Sequence, residues 1–229
     1  HGKGCLAGST AYVTLEPCST VGKTPACTGG LIAAGVSRVV YACEDPNPAH
    51  AGAADAAFAA AGIAVESGVM REECSGILRP FSKVQESGLP WVIWKCAMSL
   101  DGKITRPEGE GQWLSGEESR MDVQYLRGQV DAILTSGETV RRDRPALTVR
   151  VPEFLEGRGQ PWRVVVTDRP DTMPMDAPLF SDEWKDRTLL RAGGDMEGTL
   201  RGLVRDQGVL SVMIEAGGKF SAAMIAAGL

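Results

Sequence analysis

Glu16-Pro17-Cys18-Ser19-Thr20-Val21-Gly22-Lys23-Thr24-Pro25-Ala26-Cys27 is a polar loop with a thiol near each end. The apolar run Ala11 to Leu15 leads into it, and the small-residue segment Thr28 to Gly35 leads out. That order reads as a buried strand over Thr10 to Leu15, a stiff turn, and a helix over Thr28 to Ala34 stopped by Gly35. Two cysteines at the ends of one tight loop can face the same point in space, which is the beginning of a metal site. Cys27 falls at the helix start, where the dipole favours a thiolate. The competing reading is a pair of structural or simply buried cysteines.

Strand and helix signals alternate outward from this loop. Val36 to Ala42 reads as a strand closed by the rigid turn Glu44-Asp45-Pro46-Asn47-Pro48, and Ala51 to Ala61 as an alanine-rich helix capped by Gly62. Ile63 to Val65 is a short strand, and Met70 to Gln85 a helix broken by Ser87-Gly88-Leu89-Pro90. A second start follows that break. Strands are expected at Trp91 to Ala97, Asp131 to Leu134, Arg163 to Thr167 and Val209 to Ile214. Helices are expected at Gly116 to Gly128, Thr199 to Asp206 and Lys219 to Ala227, with Thr139 to Arg142 beginning a loop. The alternation predicts two α/β domains with largely parallel sheets, residues 1–88 and 89–229.

The bulk properties suit this. A chain of 229 residues, 43% hydrophobic and 23% charged, has room for one or two soluble globular domains. The formal charge of −5 disfavours a nucleic-acid footprint but leaves room for a small anionic ligand. Six cysteines without a secretory leader point to reduced thiols and a cytoplasmic location. No apolar stretch reaches the roughly 18 residues that a membrane span needs. Both ends read as cut: no initiator Met precedes the first strand, and a further strand is expected after Leu229.

Zinc takes thiolate and imidazole ligands tetrahedrally, and a catalytic zinc keeps one position for water. Zinc nucleobase deaminases combine a Pro-Cys and a second Cys with a His-x-Glu or Cys-x-Glu segment, whose Glu moves the proton. Their cysteines are typically two residues apart, whereas eight residues separate Cys18 from Cys27. Past residue 89 the informative features are two glycine-bearing stretches after strands, Thr135-Ser136-Gly137-Glu138-Thr139 and Glu215-Ala216-Gly217-Gly218-Lys219, the second opening a helix that could hold a phosphate. Gly217-Gly218 reads equally as a tight turn. Arg141, Arg142, Arg144 and Arg150 crowd around Asp143, either as a solvated charged loop or as an anion clamp.

Thr14-Leu15-Glu16-Pro17-Cys18-Ser19, Gly22-Lys23-Thr24-Pro25 with Cys27, Ala34-Gly35-Val36 and Asp45-Pro46-Asn47-Pro48 together resemble the bifunctional deaminase–reductase family of riboflavin biosynthesis. Lys95 to Lys103, Trp113-Leu114-Ser115-Gly116-Glu117 and Pro145-Ala146-Leu147-Thr148-Val149-Arg150 resemble its second half. The resemblance implies a cytidine-deaminase-like α/β/α domain followed by a dihydrofolate-reductase-like α/β domain, apparently truncated at both ends. It implies Zn2+ on Cys18 and Cys27, with Lys23, Asp45 and Asn47 lining a phosphoribosyl-pyrimidine site. It implies NADPH beside Ala97, Trp113, Ser115, Thr139 and Asp143 and on the loop Gly217, Gly218, Lys219, Phe220 and Ser221. Arg127, Leu147, Arg150 and Glu215 fall on substrate positions. The implied reactions are zinc-dependent deamination of a diaminopyrimidinone ribosyl phosphate, then NADPH-dependent reduction of ribosyl to ribityl. The implied assembly is a homo-oligomer.

Four positions depart from the family pattern: Thr20 where His is usual, Gly111 for a serine, Asp168 for a small polar residue, and Ala216 for a glycine. No His-x-Glu segment accompanies the thiol loop. His1 lies too close to Cys18, no Glu follows it two residues on, and His50 is expected at the surface. The third zinc ligand and the proton-shuttling Glu are therefore missing, no catalytic residue can be named, and no deamination is expected of these 229 residues. Two rival readings remain. One is a reductase-only enzyme with a deaminase-like scaffold. The other, a nucleic-acid-editing deaminase, is opposed by the acidity and the eight-residue loop.

Overall fold

Thr10–Leu15 forms strand β1 in the computed structural model, which describes residues 6–22, 24–48, 50–107, 110 and 113–229. His1, Lys23 and Gly111 lie outside the described residues. The chain divides into two compact units, His1–Gly88 and Leu89–Leu229.

In the first unit β1 is followed by α1 (Cys27–Ala33), β2 (Arg38–Cys43), α2 (Ala53–Ala60), β3 (Ala64–Ser67) and α3 (Arg71–Ser87). The strands run parallel in the order β1-β2-β3, with Leu15 opposite Cys43 and Arg38 opposite both Thr10 and Ala64. Val39, Val40, Tyr41 and Ala42 of the central strand are all buried, as a parallel strand covered on both faces requires. Phe58 and Ala54 of α2 close one face over Val36, Val39 and Ile63. Gly88 ends α3 in the left-handed conformation, φ 69°, which glycine adopts without penalty.

The second unit contains β4 (Trp91–Trp94), α4 (Glu117–Gly128), β5 (Ala132–Ser136), α5 (Gly137–Asp143), β6 (Trp162–Val166), α6 (Pro178–Ser181), β7 (Thr188–Arg191), α7 (Met196–Gln207), β8 (Ser211–Ile214) and α8 (Gly218–Ala226). The five strands are parallel in the order β4-β8-β5-β6-β7. Side chains alternate across this sheet. Ala132, Leu134, Val164, Val166, Val212 and Ile214 meet Leu200 and Leu203 of α7 and Met224 of α8 on one face. On the other face Ile133 and Met213 meet Leu126 of α4, while Val165 meets Val140 of α5 and Leu179 of α6. Helices on both sides of a parallel sheet make a doubly covered α/β unit.

Two elements correct the sequence reading. Residues 137–143 are a helix and not the start of a loop: Ser136 is a cap whose side chain accepts from the Thr139 amide, so one orphan amide of a short helix is satisfied. β7 was not expected at all. Its two leucines stand between Arg187 and Arg191, so no alternating pattern reaches the length that marks a strand. The strand exists through its pairing with β6, Val164 opposite Leu189.

Candidate active site

Strands β5 and β8 are neighbours, yet the chain leaves them for opposite faces of the sheet: α5 packs on one side and α8 on the other. A crevice opens at the C-terminal ends of two such strands, the usual ligand position in an open parallel α/β sheet. Its floor is knitted together: the Glu215 amide donates to Leu134 O at 2.9 Å, and Thr135 Oγ1 donates to Glu215 O at 2.6 Å. Ser136 caps α5 on one wall and Gly217 stands as the N-cap of α8 on the other. An added Cβ at Gly137 would lie 2.6 Å from Thr167 Cβ and Oγ1, so glycine there lets α5 start hard against the end of β6. Ser221, in the first turn of α8, is buried and its Oγ has no hydrogen-bond partner among the described residues.

Two substrate candidates are joined at this crevice. Arg127 of α4 grips Glu215 at two points, Nε to Oε1 at 2.6 Å and the second nitrogen to Oε2 at 3.0 Å, with only 12% and 11% of the side chains exposed. Leu147 is buried and holds φ 52°, a left-handed conformation that costs a leucine about 1–3 kcal/mol. Arg150 is exposed and its side chain pairs with no described residue. Asp143 ends α5 at the surface. Partial desolvation pushes its carboxyl above its ordinary value, against the pull of Arg142.

The expected cluster of arginines around Asp143 disperses. Arg141 lies on α5 and pairs with Glu138 while donating to Thr172, and Arg144 turns away to Asp176. Neither is free to clamp an anion. Trp113 is 56% exposed, with the Arg120 guanidinium 5.3 Å from its ring, and Arg120 also donates to Ser115 O. Ala97 follows β4 in an irregular segment, and Lys219 is exposed on α8. Phe220 packs against the core cluster. Asp168, just past β6, accepts from the Gly193 amide at 3.0 Å.

In the first unit the thiol loop is closed by its own cysteines: the Cys27 amide donates to Cys18 Sγ at 3.3 Å, and hydrogen bonding with Cys18 pushes the Cys27 thiol up. Glu16, 3% exposed, organises the surroundings. Its carboxylate accepts from the amides of Asp45, Gly52 and Ala54, each at 3.1 Å, and so ties the loop to the Asp45 turn and to the start of α2. Asp45 Oδ1 accepts from the Asn47 amide at 2.9 Å, the turn-making role that both types fill. Thr20 Oγ1 meets His50 Nδ1 at 3.0 Å, so His50 is half-buried against the loop and does not project freely.

The two implied groups fare differently. Glycine-bearing turns, a capped helix start and an orphaned Ser221 hydroxyl fit a phosphate-bearing dinucleotide. For zinc, two thiols are present, but no group of three or more His, Cys, Asp or Glu able to hold a metal occurs among the described residues. Several residues that shape these sites escaped the sequence reading: Glu16, Gln124, Gln160 and Arg163. Glu16 and Arg163 left a trace, each a charge in or at the end of an apolar strand. The two glutamines left none.

A family model described as the RibD C-terminal domain matches residues 90–229. The riboflavin biosynthesis protein RibD of Escherichia coli is 38% identical across 97% of this chain and 68% of its own length. That of Mycobacterium tuberculosis is 41% identical across 98% of this chain and 64% of its own. Among solved structures, Acinetobacter baumannii RibD superposes with a TM-score of 0.88 at 34% identity, over 98% of this chain and 67% of that one. A Thermotoga maritima diaminohydroxyphosphoribosylaminopyrimidine deaminase/5-amino-6-(5-phosphoribosylamino)uracil reductase gives 0.83 at 30%, over 97% and 66%. The chain thus spans about two thirds of the length of these relatives. No helix among the described residues is long and apolar enough to cross a membrane.

Proposed function

Because this chain belongs to the RibD family of riboflavin-biosynthesis proteins, we propose that residues 89–229 carry its NADPH-dependent reduction of a phosphoribosylamino-uracil to the ribityl compound. One observation carries the reading. The β5–β8 crevice sends two glycine-bearing turns to opposite faces of the sheet, and the Arg127–Glu215 pair stands at its rim. The amides at the starts of α5 and α8, with the Ser221 hydroxyl, would hold the cofactor's phosphates, and Thr139, Asp143, Ala97, Trp113 and Ser115 would border it. When bound there, NADPH supplies the hydride that turns the ribosyl C1 into a ribityl methylene, the former ring oxygen taking up a proton. Glu215, held by Arg127, keeps lone pairs free for sugar hydroxyls. Arg150 offers a fork for the substrate phosphate, and Leu147 packs at the base of the same loop.

Residues 1–88 are read as the cytidine-deaminase-like half, with Cys18 and Cys27 as two zinc ligands and Lys23, Asp45 and Asn47 on the pyrimidine side. The described residues do not complete a zinc site, so no deamination step is assigned to them. A cytoplasmic homo-oligomer belongs to the same reading. The test is direct: incubate the chain with the phosphoribosylamino-uracil and NADPH, and separately with the diaminopyrimidine. Loss of NADPH absorbance without ammonia release is expected. No NADPH oxidation at any substrate concentration would overturn the reductase assignment, and stoichiometric ammonia would overturn the incomplete zinc site.

A further inference from the structure

The segment Ala146–Arg150 contains two of the substrate candidates, and it is held in an unusual way. Among the described residues its backbone makes no hydrogen bond to other backbone. Leu147 and Val149 are nevertheless buried. Buried peptide groups need partners, and here side chains provide them. Arg163 donates to Ala146 O at 2.9 Å and Arg127 to Thr148 O at 3.0 Å. Gln160 takes both ends of Val149, accepting from its amide and donating to its carbonyl, each at 2.8 Å. Gln124 accepts from the Arg150 amide at 2.8 Å.

These four side chains come from three places: Gln124 and Arg127 from α4, Gln160 from the approach to β6, and Arg163 from β6 itself. Gln124, Gln160 and Arg163 are 5%, 7% and 1% exposed, and Arg163 is locked in turn by a two-point pair with Asp182. Their shared cargo includes Leu147, whose left-handed φ persists only where the surroundings over-determine it. The segment is therefore held in a preset conformation. Arg127 also binds Glu215, so the same clamp registers the segment against the end of β8.

We propose that Gln124, Gln160 and Arg163 are positioning residues for the reduction, forming with Arg127 a buried polar clamp that presets Leu147 and Arg150 for the phosphoribosyl substrate. This rests on the reading of residues 89–229 as the reductase. The clamp fixes the Arg150 backbone and leaves its guanidinium to the ligand. Gln160 uses a donor and an acceptor together, whereas Gln124 uses only its acceptor. The two glutamines consequently respond differently to the same substitution.

Steady-state NADPH oxidation is measured for Gln160→Leu, Gln160→Glu, Gln124→Leu and Gln124→Glu, with calorimetric binding of pyrimidine and NADPH and hydrogen exchange at Val149 and Arg150. Gln160→Leu should raise the pyrimidine KM and Kd by about tenfold, the worth of a lost buried hydrogen bond, with NADPH affinity nearly unchanged. Gln124→Glu keeps its acceptor, so its pyrimidine KM should lie nearer the parent value than that of Gln124→Leu. Gln160→Glu lacks the donor when ionised and regains it when protonated, so its pyrimidine KM should fall toward the parent value as pH is lowered. Faster exchange at Val149 in a folded Gln160→Leu with an unchanged pyrimidine KM would make the clamp merely structural and overturn the proposal. Unchanged exchange would also overturn it. A parent chain that neither binds nor reduces the pyrimidine overturns the reductase reading itself, and this proposal with it.

Discussion

Arg127 on α4 and Glu215 at the end of β8 form a two-point ion pair, 2.6 and 3.0 Å, that closes the rim of the crevice. Each is the other's partner, and neither is an isolated substrate contact. Glu215→Ala leaves a nearly buried guanidinium uncompensated and should destabilise the chain by about 3 kcal/mol. The double change Arg127→Met, Glu215→Leu removes both charges and should recover part of that loss, since the Thr148 carbonyl still loses its Arg127 donor, yet restore no NADPH oxidation. Urea denaturation and the reductase assay report the two quantities. Recovered activity would mean that the pair only supports the fold.

Gly137 is needed for its missing Cβ. Gly137→Ala drives a methyl into Thr167 at 2.6 Å and should cost about 1–3 kcal/mol while displacing the start of α5 and weakening NADPH binding. Gly217→Ala is the control. Nothing lies within 4 Å of the added atom, so only the poorer N-cap should register, at most about 0.5–1 kcal/mol. Equal melting temperatures for the two variants would contradict this account.

Asp168 places a carboxylate just past β6, held by the Gly193 amide. The family resemblance puts a small polar residue at this position near the cofactor, so we propose that this carboxylate lies beside the extra phosphate that distinguishes NADPH from NADH. Asp168→Ser should then improve NADPH binding by about 1 kcal/mol, the scale of two charges near contact in water, and leave NADH binding unaltered. An unchanged preference between the two dinucleotides would move the cofactor's phosphate away from this residue.

Tyr41 carries a pH signature in the first unit. Burial first, then its hydrogen bond to Asp55 at 3.0 Å, pushes the phenol up to about 12. An unfolded tyrosine ionises near pH 10. Above that pH the unfolded chain releases a proton that the native state retains, so stability is complete below about pH 10 and is lost progressively toward about pH 12. Tyr41→Phe should flatten the melting-temperature profile across that window. A profile with the same slope would place the titrating group elsewhere.

The strands with long apolar runs were legible from the chain alone. Thr10–Leu15 coincides with β1 to the residue, and the helix ends at Gly35 and Gly88 follow from glycine's freedom at positive φ. Helix α5 and strand β7 were not legible. A seven-residue helix and a four-residue strand hold too few periodic positions to declare themselves. The arginines near Asp143 misled for a related reason: proximity in sequence does not say that Arg141 and Arg144 turn to Thr172 and Asp176.

Apolar runs with glycine and proline punctuation predicted the α/β alternation and a break after Gly88, and the motifs around Cys18, Asp45, Lys95 and Leu147 carried the resemblance to one enzyme family, because these are local properties of the chain. The order β4-β8-β5-β6-β7, and with it the crevice between β5 and β8, was decided only in three dimensions. So was the set of side chains that holds residues 146–150: Gln160 reaches eleven residues back to Val149, and Gln124 twenty-six forward to Arg150. Hydrogen bonds of that kind join groups whose separation along the chain carries no period, and burial alone selects their partners. The Arg127–Glu215 pair spans eighty-eight residues for the same reason.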